Sequence, residues 1–111
     1  HKHIAYACGL GSFGRHTMLI TEQGCAGRFG SLVTNARIEL EASVKELFFS
    51  GCENCHYCEK VCPALALNEF GIDKNTCYAH LLKVNDYYSD LALSDVCGKC
   101  ACGPCSLRKP K

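Results

Sequence analysis

A chain of 111 residues allows one compact domain and little more. Hydrophobic residues make up 48%, but 11 residues of that class are cysteines, and without them only roughly 38% of the chain is apolar, a thin supply for a core. Lys and Arg number 12 against 11 Asp and Glu, both halves are near neutral, and the basic patch expected of a nucleic-acid binder is missing.

The chain opens on His1 rather than Met, which reads as a piece of a longer protein. Gly9-Leu-Gly11-Ser-Phe-Gly14 spells G-x-G-x-x-G, but no buried strand reads before it and no helical pattern after it. A loop in which glycines permit close backbone approach is the better reading. Thr17–Thr21 and Gly30–Thr34 are β-rich and predict an antiparallel pair with a long connection. Arg15, His16 and Arg28 lie beside or between these strands, as solvated charges or as contacts to an anionic group. Cys8 and Cys25 have no cysteine at metal-ligand spacing and read as structural. Glu39–Phe49 sets Leu40, Val44, Leu47 and Phe48 at helical spacing, with a strand as the alternative.

Nine cysteines follow, so the chain divides into a Gly-rich, β-containing segment (1–50) and a cysteine module (51–111). The run Cys52-Glu-Asn-Cys55-His-Tyr-Cys58-Glu-Lys-Val-Cys62-Pro63 is C-x2-C-x2-C-x3-C-P, the ferredoxin spacing for a [4Fe–4S] cluster. Three thiolates at three-residue intervals wrap three corners of a cubane, and the fourth cysteine points to a second cluster in two-cluster proteins. Pro63 steers Cys62 toward an extended conformation and suits the first turn of a short helix over Ala64–Leu67. An odd number of cysteines, so closely packed, fits a disulfide framework poorly and implies a reducing, cytoplasmic setting.

Two other motifs overlap the same residues. Cys52-Glu-Asn-Cys55-His56 matches the c-type haem pattern C-x-x-C-H, but that leaves Cys58, Cys62 and Pro63 unexplained. Zinc held by Cys52/Cys55 and Cys97/Cys100 would strand five cysteines of the module.

Further along, Asn68–Asp73 reads as a turn or short strand, and a helix from Asp73 or Lys74 to Val84 is N-capped by Asp73. Cys77 falls on its apolar stripe with Tyr78, Leu81 and Leu82, and spacing alone leaves it open between core residue and ligand. A second helix over Tyr87–Val96 is expected to deliver Cys97-Gly-Lys-Cys100. A cluster pair needs eight thiolates, and Cys77, Cys97, Cys100, Cys102 and Cys105 offer one more than the four still required. Between Cys102 and Cys105, the five-residue step from Cys100 and the turn chemistry of Gly103-Pro104 favour Cys105. His56 and Tyr57 read as surface packing inside the motif, and Gly51, Gly98 and Gly103 let N–H groups approach sulfur.

With these residues in view, the chain resembles the C-terminal portion of the epoxyqueuosine reductase family, itself similar to the iron–sulfur half of corrinoid-dependent reductive dehalogenases. The likeness runs through His3–Gly14, Leu19–Gly24, Arg28–Thr34, Asp73–Cys77, Val96–Cys100 and Gly103–Cys105. It implies a small α+β, ferredoxin-like bicluster domain following a larger N-terminal domain. By the same resemblance Cys77 joins Cys62, Cys97 and Cys100 at the second cluster, and Cys105 completes the first with Cys52, Cys55 and Cys58. The extra Cys102 departs from that pattern and stands as the alternative to Cys105.

The expected function is electron transfer through two [4Fe–4S] clusters, as the relay part of a larger oxidoreductase, with no catalytic residue in this stretch. The alternatives are a reductase fragment contacting a corrinoid or flavin, available only with an upstream domain, and a structural zinc module. Expected partners are a redox protein or the adjacent N-terminal domain, with neither nucleic acid nor membrane.

Overall fold

The computed structural model describes residues 1–39 and 46–110. Helix α1 (Lys2–Ala7) buries Ala5 and lays Tyr6 and His3 against Phe13, with ring centroids 5.5 and 5.4 Å apart. Lys2 Nζ donates to the Thr17 carbonyl at 2.7 Å, fixing the helix to the hairpin that follows.

That hairpin pairs β1 (Gly11–Phe13) with β2 (Leu19–Thr21), antiparallel, in the register Gly11↔Thr21, Ser12↔Ile20, Phe13↔Leu19. Leu19 and Ile20 are the most deeply buried large side chains, and with Ala5 and Phe13 they form most of a small core. The sequence-based strand at Thr17–Thr21 is thus found two residues shorter, but its partner is Gly11–Phe13 rather than Gly30–Thr34. The reason is local: Gly14 N–H donates to the Met18 carbonyl and Thr17 N–H to the Gly14 carbonyl, closing a tight turn directly after β1. Residues 30–34 form no strand, and Val33 is fully exposed (101%).

The expected helix or strand over Glu39–Phe49 lies largely outside the described residues. Its end, however, pairs with β1: Phe13 N–H donates to the Leu47 carbonyl and Phe49 N–H to the Phe13 carbonyl. This lays the chain entering the cysteine module along the N-terminal hairpin.

In the module, a 3-10 turn (Ser50–Cys52) leads through Cys55 to helix α2 (Tyr57–Val61). Cys62 leaves α2 extended (φ −71°, ψ 111°), as the residue before a proline should. The short helix expected over Ala64–Leu67 is absent. Leu65 N–H turns back to the Cys62 carbonyl with Leu65 at φ 52°, and Leu67–Asn68 becomes β3, paired with β4 (Gly71–Ile72).

Helix α3 (Lys74–Tyr87) is capped by Asp73, whose carboxylate accepts from Asn75 N–H, Thr76 N–H and Thr76 Oγ1, as expected from sequence. Its apolar side chains find no core: Tyr78 and Leu82 are exposed. The second helix over Tyr87–Val96 does not form. Instead Asn85 Oδ1 accepts from Ser94 N–H and Ser94 Oγ donates to the Tyr88 carbonyl, folding that stretch back on the end of α3. The chain then runs without regular structure to a 3-10 turn at Lys99–Ala101.

The fold is α+β: three helices and two small antiparallel strand pairs among the described residues. Among the described residues, no helix is long and apolar enough to cross a membrane.

The C-terminal tail returns to the N-terminal hairpin. Cys25 N–H donates to the Cys105 and Ser106 carbonyls at 2.8 and 3.0 Å, Ala26 N–H to Ser106 at 2.9 Å, and Lys109 N–H to Glu22 at 3.3 Å. Gly24 makes this seam possible, because it sits at φ +89° and a Cβ there would collide with the Ser106 carbonyl. Gly24→Ala is expected to cost about 1–3 kcal/mol through positive-φ strain and clash, read as a lowered Tm together with faster proteolysis of the tail. An unchanged Tm and digestion pattern would show that the seam contributes little.

Candidate metal centre

The cysteines of the first motif are spread over a turn and a helix rather than a single loop. Cys52 ends the 3-10 turn, Cys55 lies in the bend, and Cys58 is on α2. His56 makes this possible by taking a left-handed conformation (φ 49°) as the N-cap of α2, and its Nδ1 lies 3.1 Å from both oxygens of Glu59. The 3-10 turn at Lys99–Ala101 comes up beside α2, with Tyr57 lying against Gly103, where a Cβ would meet the ring at 2.6 Å.

The two turns close one small cavity lined by Cys52, Cys55, Cys58, Cys100 and Cys105, together with Arg15 and His16 from the N-terminal hairpin. Burial, with the nearby Cys52 and Glu59 charges, pushes the Cys58 thiol up to about 11. Burial, with Cys25 next to it, pushes Cys105 up to about 12. These shifts belong to the metal-free chain; a cation bound here would displace those protons.

A second grouping involves the remaining expected ligands. The Cys77 thiol on α3 is raised by burial and then by the charges of Cys62 and Cys97, and Cys100 is raised by burial and by Cys77, Cys97 and Cys62. Ala66 N–H donates to Cys62 Sγ at 3.3 Å. Cys77 and Cys100 therefore each feel the charges of Cys62 and Cys97, and Cys100 feels Cys77 as well, so Cys100 stands between the two groups. Cys102 is exposed and bonds the Gly98 carbonyl at 3.5 Å, while Cys8 is exposed at the end of α1.

The contact between two residues that the sequence named separately was not visible in it. Cys25 is buried, with its Sγ 3.7 Å from Cys105 Sγ, and His16 Nε2 lies 3.4 Å from Cys105 Sγ and 3.6 Å from Cys25 Sγ. These three are the tightest potential ligand set among the described residues, with atoms within 4.8 Å of one another. Cys25 is isolated in sequence but not in space; it is buried, as expected of a structural cysteine, and it packs against Cys105 and His16. No spacing rule finds a contact across 80 residues; the sequence offered only His16 and Arg15 beside a strand, where solvated charges and an anion contact were both open.

Arg15 is the other contribution of the hairpin. Its Nε is 3.0 Å from Glu59 Oε1 as an ion pair, and an Nη reaches the Cys52 carbonyl at 3.5 Å. The ion-pair geometry is off-axis, so Nε makes no hydrogen bond, and Nη1 is likewise buried without one. A buried guanidinium with donors to spare, beside a cavity walled by thiols, suits a negatively charged occupant.

Comparison with known proteins agrees with the class these residues define, a cysteine-rich protein related to an iron–sulfur family. An epoxyqueuosine reductase of Listeria monocytogenes serovar 1/2a (strain ATCC BAA-679 / EGD-e) is 29% identical over 89 residues. The match covers 78% of this chain and 22% of that protein, so the chain spans about a fifth of its relative's length. No protein-family model and no solved structure matches the chain.

In the metal-free protein at pH 8, iodoacetamide should label exposed Cys8 and Cys102 well before Cys105. With a thiol near 12, Cys105 holds only about 10^-4 of its population as thiolate at that pH. Its alkylation should keep accelerating as pH rises beyond 9. Peptide mass mapping over time checks both, and early labelling of Cys105 would show that the tail does not stay docked.

Proposed function

We propose that the chain is an electron-relay module that holds two [4Fe–4S] clusters, acting within or beside a larger reductase. The observation that carries this reading is the convergence of five cysteines, drawn from both ends of the module, on one cavity with an underbonded arginine. Cys52, Cys55, Cys58 and Cys105 would hold the first cluster, and Cys62, Cys77, Cys97 and Cys100 the second. When bound, such clusters supply one-electron transfer.

The chain's own groups set the electrostatics. Arg15 offsets the negative charge of the first site, and the Ala66 N–H stabilises the Cys62 thiolate at the second. Because Cys62 follows α2 by one residue, the two sites are adjacent and an electron has a short path between them. Residues 1–50 act as a lead-in that closes the first site, and the neutral charge balance suits a protein partner or adjoining domain rather than nucleic acid. A cytoplasmic setting keeps the thiols reduced.

One observation supports a second reading, in which the glycine-rich segment contacts a corrinoid or flavin held by another domain. A cleft of about 820 Å³ shares Arg15 and Cys52 with the first site and is walled by Phe13, Phe48, Phe49 and Phe70. Its volume is in the range of cofactor pockets. The zinc reading is weaker, because Cys97 does not line the cavity that holds Cys52, Cys55 and Cys100.

Prepared without oxygen, the protein should carry about eight iron and eight sulfide per chain. Cys105→Ala should lower iron to about half and Cys102→Ala should leave it intact. Stoichiometric zinc, or four irons in a careful anaerobic preparation, would defeat the two-cluster reading. Loss of iron from Cys102→Ala with Cys105→Ala silent would reverse the two cysteines' roles. Stripping iron with a chelator should also abolish cooperative thermal unfolding of the module, since few apolar side chains there are buried; a sharp melting transition in the stripped protein would contradict that.

A further inference from the structure

The turn between β1 and β2 delivers an imidazole to a thiol 89 residues away. His16 is only 3% exposed, and Gly14 leaves room for it: a Cβ at residue 14 would meet His16 Cε1 at 2.6 Å. Met18 N–H donates to His16 Nδ1 at 3.1 Å. Nδ1 is therefore the acceptor, which places the ring proton of the neutral imidazole on Nε2. Nε2 in turn lies 3.4 Å from Cys105 Sγ and 3.6 Å from Cys25 Sγ.

This tautomer argues against a separate metal site at His16, Cys25 and Cys105. A metal on Nε2 would displace its proton while Nδ1 is already occupied as an acceptor, and would leave an anionic ring in a buried position. An N–H aimed at sulfur has the opposite merit, since a thiolate ligand to iron still accepts hydrogen bonds.

The geometry points to His16 as a positioning residue that donates its Nε2–H to the Cys105 sulfur and so raises the reduction potential of the first cluster. The inference rests on the two-cluster reading above. A donor to a ligand sulfur stabilises the more negative, reduced state over the oxidised one, so its removal shifts the potential downward. The Cys25 thiol, 3.7 Å from the same sulfur, shares that environment, and the backbone seam from Cys25 to Cys105 and Ser106 holds donor and acceptor in register.

The test is a redox titration of the anaerobic protein followed by electron paramagnetic resonance, with iron counted in each sample. His16→Phe fills the space without a donor and is expected to move one of the two midpoint potentials to a more negative value, with the other unchanged and iron content kept. His16→Gln restores a side-chain N–H and is expected to recover part of the shift. Two unchanged potentials in fully loaded His16→Phe would overturn the role of His16 while leaving the two-cluster reading intact. A wild-type preparation with zinc and no cluster would overturn that reading itself, and this inference with it. Should His16→Phe fail to fold, the chain with His16 intact answers. With 15N-labelled histidine and His56→Gln as background, the reduced cluster should show a 15N coupling that the His16 N–H···S bond transmits. Absence of that coupling overturns the inference.

Discussion

The backbone seam between Cys25–Ala26 and Cys105–Ser106 is the constraint on which the rest of the structure depends. The hairpin β1–β2 and the C-terminal tail belong to opposite ends of the chain, and three N–H···O bonds of 2.8 to 3.0 Å bind them. Each such bond is worth only about 1 kcal/mol net, but here they fix where four functional groups stand. Gly24 permits the approach, Cys25 is buried by it, Cys105 is placed by it, and His16 and Arg15 are carried over the first-motif cysteines from the same hairpin. A cysteine module released from that seam would keep its motif but lose the wall of its cavity.

That dependence follows from the chain's poverty in apolar residues. The buried hydrophobic set among the described residues is Ala5, Phe13, Leu19, Ile20, Cys25, Ala66 and Leu67, and only the last two lie in the module. Helix α3 is well formed because Asp73 caps it, with a carboxyl held below its usual range by bonds to Thr76 and Asn75, not because a core requires it. Tyr78 and Leu82 on α3, like Leu93 and Val96 after it, are exposed. If the module holds the clusters proposed, the thiols and that occupant would do here what a packed core does in larger domains.

The sequence was most legible where local chemistry decides structure. The Asp73 cap, the turn at Asn68–Asp73, the extended Cys62 before Pro63 and the strand at Leu19–Thr21 all follow from the residues within a few positions. It was least legible where a distant contact decides. Gly30–Thr34 has the composition of a strand, but a five-residue turn had already given β2 a nearer partner in Gly11–Phe13. Tyr87–Val96 was expected to form a helix, but hydrogen bonds through Asn85, Tyr88 and Ser94 fold it back. Cys25 is buried and free, as the reading of a structural cysteine expects, but its neighbours at residues 16 and 105 could not be read from spacing. The first-motif cysteines were visible as a pattern, whereas the arginine and histidine facing them were visible only as residue types.

The glycine motif shows how one pattern can serve a different physics. In a dinucleotide fold, G-x-G-x-x-G lets a helix N-terminus approach a phosphate. Here no helix follows: Gly11 begins β1, Gly14 opens the turn after it, and that turn carries Arg15 and His16. What the third glycine accommodates is an imidazole ring, not a phosphate. The shared requirement is close approach without a Cβ, and the object approached differs. Arginine, which offers fixed positive charge and spare donors, and a neutral histidine N–H, which offers direction, are complementary means of stabilising thiolate charge. Both come from one five-residue turn between two three-residue strands, so the hairpin gives the cavity its charged and donor groups and the module gives it its thiols. Neither part specifies the site alone.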